Sequence, residues 1–163
     1  MQGCQAARSV LGCGDHQRLE MCMSFDLDEF LPYQLSVAAA KISRSFAEIY
    51  RAEAGLTIPE WRVMAHLHRS GPVSVRDITA RVHLDKSIVS RAASKLEGGG
   101  LISSQPHETD RRLVVLELTP DGNALMQRLG RIADDFQARL LRDLGPDAAH
   151  LQSALRRIID GVP

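Results

Sequence analysis

The sequence is short of aromatic residues, of long apolar runs and of net charge. Aromatic side chains make up only 4% of the 163 residues, so aliphatic residues must build most of the interior. No apolar run approaches the roughly 18 residues of a membrane-spanning helix, and residues 1–23 lack the basic start and apolar stretch of a secretory signal. We therefore predict a cytoplasmic protein with no membrane partner, built as one compact domain.

Cysteine is confined to the N-terminal stretch, at Cys4, Cys13 and Cys22. The number is odd and the spacing fits neither a zinc site nor a thioredoxin-like motif, so a reducing compartment is the simplest interpretation. Residues 1–23 also lack periodicity. We expect them to be either a disordered extension or the product of a mis-assigned start, since Met23 shortly precedes the first patterned segment.

Residues that could hold a metal or perform catalysis are poorly placed for either task. His66 and His68 are two apart and diverge on a helix, while His107, Glu108 and Asp110 fall in a polar loop where exposure is expected. No His–acid pair is placed to activate a serine, and no glycine-rich phosphate loop is present. We predict no metal, no cofactor, no catalytic residues and no enzyme.

The formal net charge is zero, but the charge is unevenly distributed. Between residues 74 and 112, seven Lys or Arg residues stand against five acids, a local excess of two positive charges. The seven basic residues are Arg76, Arg81, Lys86, Arg91, Lys95, Arg111 and Arg112. Because nucleic-acid affinity follows the local field rather than the total charge, a DNA partner is compatible with this composition.

Hydrophobic periodicity predicts a long first helix followed by a shorter one. Apolar residues recur at steps of three and four from Leu31 to Ile49, which indicates an amphipathic helix. The second helix begins at Thr57, where Glu60 completes a capping-box pattern. The Ser70–Pro72 segment, with a central glycine, ends it.

Two more short helices follow closely. The third begins at Ser74, with Asp77 in the position that Glu60 takes in the second. Asp85 is predicted to cap the fourth helix, and the three glycines at 98–100 end it.

Two short strands and two further helices complete the pattern. Leu101–Ile102 and Leu113–Leu118 are rich in β-branched and aliphatic residues and predict strands, joined by a polar loop over Ser103–Arg112. A long helix opens at Thr119–Gly122, and Gly145–Pro146 separates it from a last helix.

We predict a mainly α fold with a small β-hairpin wing. Three short helices and a hairpin make a winged helix-turn-helix lobe over residues 57–119, within a single domain of residues 24–163. The amphipathic helices on either side, in 24–55 and 120–163, have more apolar surface than this lobe can cover. We expect them to pack against a second copy in a two-fold homodimer.

The fourth helix is the strongest candidate for a functional surface. One face is apolar, and the opposite positions hold small hydroxyl side chains and an arginine. The candidate DNA contacts on this helix are Lys86, Ser87, Ser90, Arg91 and Ser94. Small side chains let the backbone approach base edges, arginine can donate two hydrogen bonds to guanine, and lysine near a helix N-terminus suits a phosphate. Taken alone, the helix is equally compatible with an ordinary solvated face.

The tip of the predicted hairpin favours DNA binding. The motif Asp110-Arg111-Arg112 closes the polar loop. A hairpin lying along a duplex places arginine in the narrow minor groove, where the potential is most negative, and Asp110 can brace one arginine by a charge-assisted hydrogen bond. A routine surface ion pair is the alternative. Arg111 and Arg112 complete the set of predicted DNA-binding residues.

Together these motifs resemble the MarR family of bacterial transcriptional regulators. The resemblance rests on Asp85–Arg91, Leu96–Ile102, Asp110–Arg112 and Leu118–Gly122, which occur in the family's order and spacing within a match from about residue 31 to the end. It implies a homodimeric, sequence-specific regulator on a pseudo-palindromic double-stranded DNA operator, with Arg112 as the first choice for the wing arginine. The glycines at 98–100 depart from the family, which usually has bulkier residues before the final glycine.

The resemblance also implies an effector. Most members are released from DNA by a small ligand, commonly a phenolic acid and in some branches an aromatic acyl-CoA, so we expect a ligand-responsive repressor. A half-apolar face of the second helix, Trp61, Ala65 and His68, with Tyr33 on the first helix, would suit a phenolic ring. The alternative is that Trp61 belongs to the core and His68 to the surface.

Two other functions remain open. The family's organic-peroxide branch is similar around Leu31–Ser36, but its reactive cysteine is replaced by Ser36, whose hydroxyl cannot be oxidised as a thiol is. Thiol-based redox sensing would then have to use a different cysteine, Cys22. A winged helix used only for protein contacts would keep the fold but would not need the basic residues.

Overall fold

The computed structural model of the chain describes residues 25–82, 84–106 and 113–161. In chain order its elements are α1 (Leu31–Ala54), α2 (Ile58–Ser70), β1 (Val73–Ser74), α3 (Val75–Val82), α4 (Lys86–Gly98), β2 (Ile102–Pro106), β3 (Val114–Leu118), α5 (Pro120–Leu144) and α6 (Ala148–Ile159). A 3₁₀ turn at Gly145–Asp147 separates the last two helices. The predicted fold class, mainly helical with a small β wing, is confirmed.

Side-chain caps explain where α2 and α3 begin. The backbone N–H of Thr57 donates to Glu60 Oε2 at 3.0 Å, as the capping-box pattern predicted. Before α3, Ser74 Oγ accepts from the backbone N–H of Asp77 at 3.1 Å and donates to the Asp77 carboxylate at 2.8 Å. Each helix start therefore follows from a polar pair three residues apart in the sequence.

The three strands form an antiparallel sheet in the order β1-β3-β2. The central strand β3 pairs with β2 from Ile102 opposite Leu118 to Pro106 opposite Val114. On its other side, Val73 of β1 lies opposite Leu116. The sheet thus joins the hairpin to the segment that leads into α3.

The structure corrects two details of the predicted strands. Strand β1 was not predicted, because two residues are too few to show a strand's alternation. The prediction also ended the first hairpin strand at Ile102, whereas β2 continues to Pro106. Residues 103–105 are polar and resembled a loop, but β2 lies at the edge of the sheet, where polar side chains and proline are tolerated.

Backbone contacts divide the chain into two units, one ending at Ala38 and one beginning at Ala39. In the described part of the first unit, the rings of Phe25 and Phe30 meet edge to face at a centroid distance of 5.3 Å. The second unit has a continuous hydrophobic core, whose most deeply buried large side chains are Tyr50, Val63, Met64, Leu67, Ile78, Val89, Leu96 and Leu129.

The last helix contributes none of its side chains to that core. In α6 no residue is buried, and Leu151, Ile158 and Ile159 are all exposed. Among the helices in the described ranges, none is both long enough and apolar enough to cross a membrane.

Candidate nucleic-acid interface

The start of α4 is set by backbone rather than by a side chain. Asp85 occupies the N-cap position in an extended conformation, and its carbonyl oxygen accepts the N–H groups of Ile88 and Val89 at 2.9 and 3.1 Å. Asp85 is thus the N-cap residue that the sequence predicted, although its carboxylate makes no cap hydrogen bond among the described residues. The first turn of α4 instead leaves its N-terminal N–H groups close to Lys86 and Ser87.

The two faces of α4 differ sharply in burial. Every candidate DNA contact on this helix is exposed: Lys86, Ser87, Ser90, Arg91 and Ser94. The opposite face is buried through Val89, Ala92, Ala93 and Leu96, with Ile88 half-buried. The structure therefore brings all five predicted residues onto one open surface.

Arg91 is oriented by its own helix. Its Nε donates to the backbone carbonyl of Ser87 at 3.2 Å, so the side chain folds back toward the N-terminal turn of α4. The guanidinium group is thereby held beside Ser87, which gives this end of α4 a positive charge next to a small hydroxyl side chain.

Lys95, the last basic residue of α4, contacts a buried acid of α2. Its Nζ lies 3.0 Å from Glu60 Oε1, and the Glu60 side chain is only 6% exposed. Burial by itself raises the pKa of Glu60, but the hydrogen bonds from the Thr57 backbone and Lys95 outweigh it and the pKa is lowered overall. Part of the positive charge that the sequence assigned to this segment is therefore neutralised inside the lobe.

A second set of basic residues lies between α2 and α3. Arg81 Nη1 is 3.5 Å from His66 Nε2. Burial, with the nearby charges of Arg81 and Arg69, lowers the pKa of His66, so its neutral form is favoured near pH 7. His68 is exposed, which agrees with the expectation that His66 and His68 point apart.

The base of the wing is tied to α4 and α5 by a compact polar network. Glu97 at the end of α4 accepts a hydrogen bond from Ser104 Oγ of β2. Thr119 Oγ1 donates to the carbonyl of Gly100 at 2.7 Å and accepts from the backbone N–H of Gly122 at 3.0 Å. These bonds fix the hairpin to the C-terminal end of α4, the candidate DNA-reading helix.

The tip of the wing lies outside the described residues. It includes the predicted DNA contacts Arg111 and Arg112, together with Asp110, and also His107 and Glu108. The role of the two arginines therefore stays a prediction, as does any role for the three N-terminal cysteines.

The predicted effector residues fall into different environments. Trp61 and Ala65 are half-buried and pack against the core, while His68 is exposed on the same helix. Tyr33 belongs to the first unit of the chain and is 41% exposed. The ligand pocket assigned to these residues stays a prediction.

An aromatic cluster surrounds Trp61 and was not predicted from the sequence. Its ring stacks on Tyr50 with a centroid distance of 5.3 Å and an interplanar angle of 15°, and it meets Phe46 edge to face at 5.2 Å. Phe46 also lies 5.0 Å from Phe136. Burial raises the pKa of Tyr50. Only the helical spacing of Phe46 and Tyr50 on α1 could have suggested this cluster.

Two cavities flank the C-terminal half of α1. One of about 460 Å³ lies against α2 and is lined by Ala39, Ala40, Ser43, Arg44, Ile58 and Arg62. The other, of about 420 Å³, lies against α5, and its lining is half apolar and half polar, the polar residues being Lys41, Ser45, Arg139 and Asp143. Both volumes are in the range of small-molecule sites.

Comparisons with known proteins agree on one family. A family model described as MarR family matches residues 56–114. The HTH-type transcriptional regulator MgrA of Staphylococcus aureus is 27% identical over 67% of this chain and 74% of MgrA. The crystal structure of the MarR family transcriptional regulator SPO1453 from Silicibacter pomeroyi DSS-3 is 29% identical, with a TM-score of 0.73 over 83% of this chain and 96% of that one. The chain is therefore similar to MarR-family proteins, and its residues 56–114 match the family model itself.

The matched relatives are transcriptional regulators rather than enzymes, so the chain is similar to regulators of this family. A further solved structure, of Bordetella bronchiseptica BpsR, concerns regulation of its DNA binding by 6-hydroxynicotinic acid. It has a TM-score of 0.73 over 85% of this chain and 99% of BpsR, at 22% identity. At that identity the likeness shows the shared fold.

The structure explains two glycines of the MarR-like motifs. A Cβ at Gly122 would overlap the backbone oxygen of Leu101, so only glycine lets α5 start this close to the wing base. Gly100 has φ of +71°, in the left-handed region. Gly98, by contrast, lies in α4 with open space where a Cβ would be, so its departure from the family pattern has no steric cause.

Proposed function

We propose that this protein is a homodimeric repressor that binds a pseudo-palindromic DNA operator and is released from it by a small aromatic acid or its CoA thioester. The observation that carries the proposal is the polar outer face of α4. Its five exposed candidate contacts stand opposite a buried apolar face, which is the arrangement that lets a helix enter the major groove while remaining anchored to its domain.

The proposed roles follow from side-chain chemistry. Arg91 donates a pair of hydrogen bonds to guanine, and Ser87, Ser90 and Ser94 contact base edges or phosphates. Lys86, beside the N-terminal N–H groups of α4, binds a phosphate. On the wing, Arg112, with Arg111 as second choice, enters the minor groove.

A second copy of the chain is proposed to cover the exposed apolar side chains of the outer helices. Leu151, Ile158 and Ile159 are exposed on α6, and Ile159 keeps 79% of its surface accessible. On α1, Leu31 keeps 56% of its surface accessible. Apolar surface of this kind at both ends of the chain supports a two-fold interface between helices rather than an isolated protomer.

For the effector, the proposal rests on chemistry next to α2. Arg44 and Arg62 line the cavity of about 460 Å³, and arginine suits a carboxylate. Trp61, Ala65 and His68 on α2 and Tyr33 on α1 remain the proposed aromatic and polar contacts. The regulation of BpsR, which shares this fold, by 6-hydroxynicotinic acid supports an aromatic acid as the ligand class.

The DNA-binding proposal is tested by substituting Arg91. With an operator selected from random DNA, Arg91→Ala should lose about 1–3 kcal/mol of binding free energy per half-site and discriminate less between base pairs. Arg91→Lys is the matched control, because it keeps the charge but not the planar pair of donors; it should keep most of the salt dependence while losing specificity. Unchanged affinity and specificity in Arg91→Ala would contradict the proposed role of α4.

The effector proposal is tested with the intrinsic fluorescence of Trp61, the only tryptophan. A panel of phenolic and pyridine carboxylic acids and their CoA thioesters should include a compound that changes this fluorescence and releases the operator. Arg62→Met should weaken the response through the loss of a carboxylate partner. No response across the panel would count against an aromatic acid.

A further inference from the structure

We infer that Glu60 is a positioning residue for DNA reading, which acts through Lys95 to hold α4 in its orientation. Lys95 then serves this internal contact rather than a DNA phosphate. The inference rests on the proposed DNA-binding function of α4, but it concerns two residues that lie outside the proposed DNA contacts.

The contacts of Glu60 are divided between two elements. Its Oε2 accepts the backbone N–H of Thr57 at 3.0 Å, which fixes the carboxylate at the first turn of α2. Its Oε1 lies 3.0 Å from Lys95 Nζ on α4. One buried carboxylate therefore connects the start of α2 to the last turn of the candidate reading helix.

Lys95 lies at the border between the two faces of α4. With about 100° of rotation per residue, Lys95 falls between the exposed side that carries Ser90, Arg91 and Ser94 and the buried side that carries Val89 and Leu96. A contact at this border opposes rotation of α4 about its own axis. It adds to the anchoring of α4 by Val89 and Leu96, which are buried in the core.

Small rotations matter for base reading. A rotation of about 10° moves a side chain at a radius of about 6 Å by about 1 Å, which is enough to misplace a hydrogen-bonding group. Breaking the ion pair is also costly in free energy, because removing Lys95 would leave a nearly buried carboxylate without its cationic partner. The exposed end of Lys95, whose side chain is 64% accessible, is thus held by a partner that is itself fixed.

The rival role for Lys95 is a phosphate contact, since it is basic and on the proposed DNA-binding helix. The two roles differ in their salt dependence. A lysine that neutralises a phosphate contributes about one unit to the slope of log affinity against log salt concentration, whereas a positioning residue changes affinity and specificity at nearly constant slope.

The experiment measures operator and random-sequence DNA binding of the full chain over a range of salt concentrations. Its variants are Lys95→Met, Glu60→Gln, the double variant, Lys95→Arg and, as the phosphate-contact control, Lys86→Met. The Glu60→Gln change keeps the side-chain length and an oxygen for the Thr57 N–H. Because Lys95 is largely exposed, Lys95→Met remains informative if Glu60→Gln proves too unstable, and thermal unfolding of each variant monitors this.

We expect Lys95→Met and Glu60→Gln each to weaken operator binding about tenfold and to reduce the ratio of operator affinity to random-DNA affinity. The slope of log affinity against log salt concentration should stay as in the wild type. The double variant should be no weaker than either single variant, because both remove the same contact. Lys95→Arg should restore binding, and Lys86→Met should lower the slope by about one per half-site. Without DNA, hydrogen exchange in α4 of Lys95→Met should accelerate while exchange in α5 is unchanged.

Two results would overturn the inference. In the first, Lys95→Met lowers the salt-dependence slope as much as Lys86→Met does, while Glu60→Gln binds the operator normally. Lys95 would then be a phosphate contact. The other is wild-type affinity, specificity and α4 exchange in both single variants. Failure of the proposed DNA-binding function would show separately, as an Arg91→Ala protein that binds like wild type, and the α4 exchange rates would still decide whether Glu60 positions the helix.

Discussion

The lobe from α2 to β3 and the last helix α6 differ in how far their apolar side chains are buried. Every helix of the lobe buries apolar side chains against its neighbours, and polar pairs such as Ser74 with Asp77 fix the helix starts. In α6 no residue is buried, although it has an apolar face that includes Leu151 and Ile158. The lobe is stabilised within one protomer, whereas α6 has apolar surface that only another surface can cover.

This difference separates two kinds of sequence constraint. In the lobe, residues are constrained by close packing and by backbone approach, as at Gly122. In the outer helices, apolar residues that look like surplus surface in one protomer become informative only when a partner is considered. Substitutions in the two regions should therefore affect different measured quantities.

The largest effect is expected where the lobe meets α5. Gly122→Ala places a Cβ onto the Leu101 backbone oxygen, and we expect a loss of about 3 kcal/mol or more in the free energy of unfolding, because backbone must move. Chemical denaturation measures it. The matched control is Gly98→Ala, which meets open space in a helix and should gain about 0.5–1 kcal/mol. Equal stabilities for the two variants would contradict the close approach.

The next effect should appear in association rather than in folding. Ile158→Glu, on the exposed face of α6, should weaken dimerisation by about 2 kcal/mol or more, since a charge would enter the proposed interface. Sedimentation velocity measures the shift to monomer, with circular dichroism to check the fold. Gln152→Glu adds the same charge at another exposed position of α6 and should have little effect. A dimer that tolerates Ile158→Glu would place the interface elsewhere.

The smallest effects concern pH and are confined to the lobe. His66 has a lowered pKa, so its contribution to stability is present above its ordinary value of 6.5 and is lost as the pH falls below it. Glu60 also has a lowered pKa, so its contribution is present above 4.5 and is lost at more acid pH. Each loss should be about 1 kcal/mol or less, since His66 is only half-buried and burial offsets part of the effect of the hydrogen bonds on the pKa of Glu60.

Unfolding measured between pH 8 and 3 should resolve the two losses in sequence. His66→Asn should flatten the profile above pH 5, and Glu60→Gln should flatten it below pH 5. If stability instead rose on acidification through either range, the assigned directions would be wrong.

Much of the fold was predictable because its signals are local. The two faces of α4 follow from a helical period that separates Val89 and Leu96 from Ser90 and Arg91, and the structure confirms that separation. The start of α2 followed from Thr57 and Glu60, three residues apart. The N-cap position of Asp85 also followed from the sequence, although the bonds to Ile88 and Val89 come from its backbone carbonyl rather than from its side chain.

What could not be predicted depends on residues far apart in the chain. The Glu60–Lys95 pair joins positions 35 residues apart, and the capping-box pattern had already accounted for Glu60. The stacking of Trp61 on Tyr50 was likewise hidden, because the pattern on α2 alone gave Trp61 an open half-apolar face. Strand β1 is defined by its pairing with β3, which lies about 40 residues later in the chain.

The sequence by itself determined the order of helices and hairpin, the exposed face of α4 and the glycine-rich end of that helix, since periodicity and backbone preferences act over a few residues. Tertiary structure alone decided that Lys95 faces Glu60, that Trp61 joins an aromatic cluster and that Gly122 must lie against Leu101. These outcomes depend on how helices and strands pack, and packing brings together residues whose separation along the chain carries no local signal.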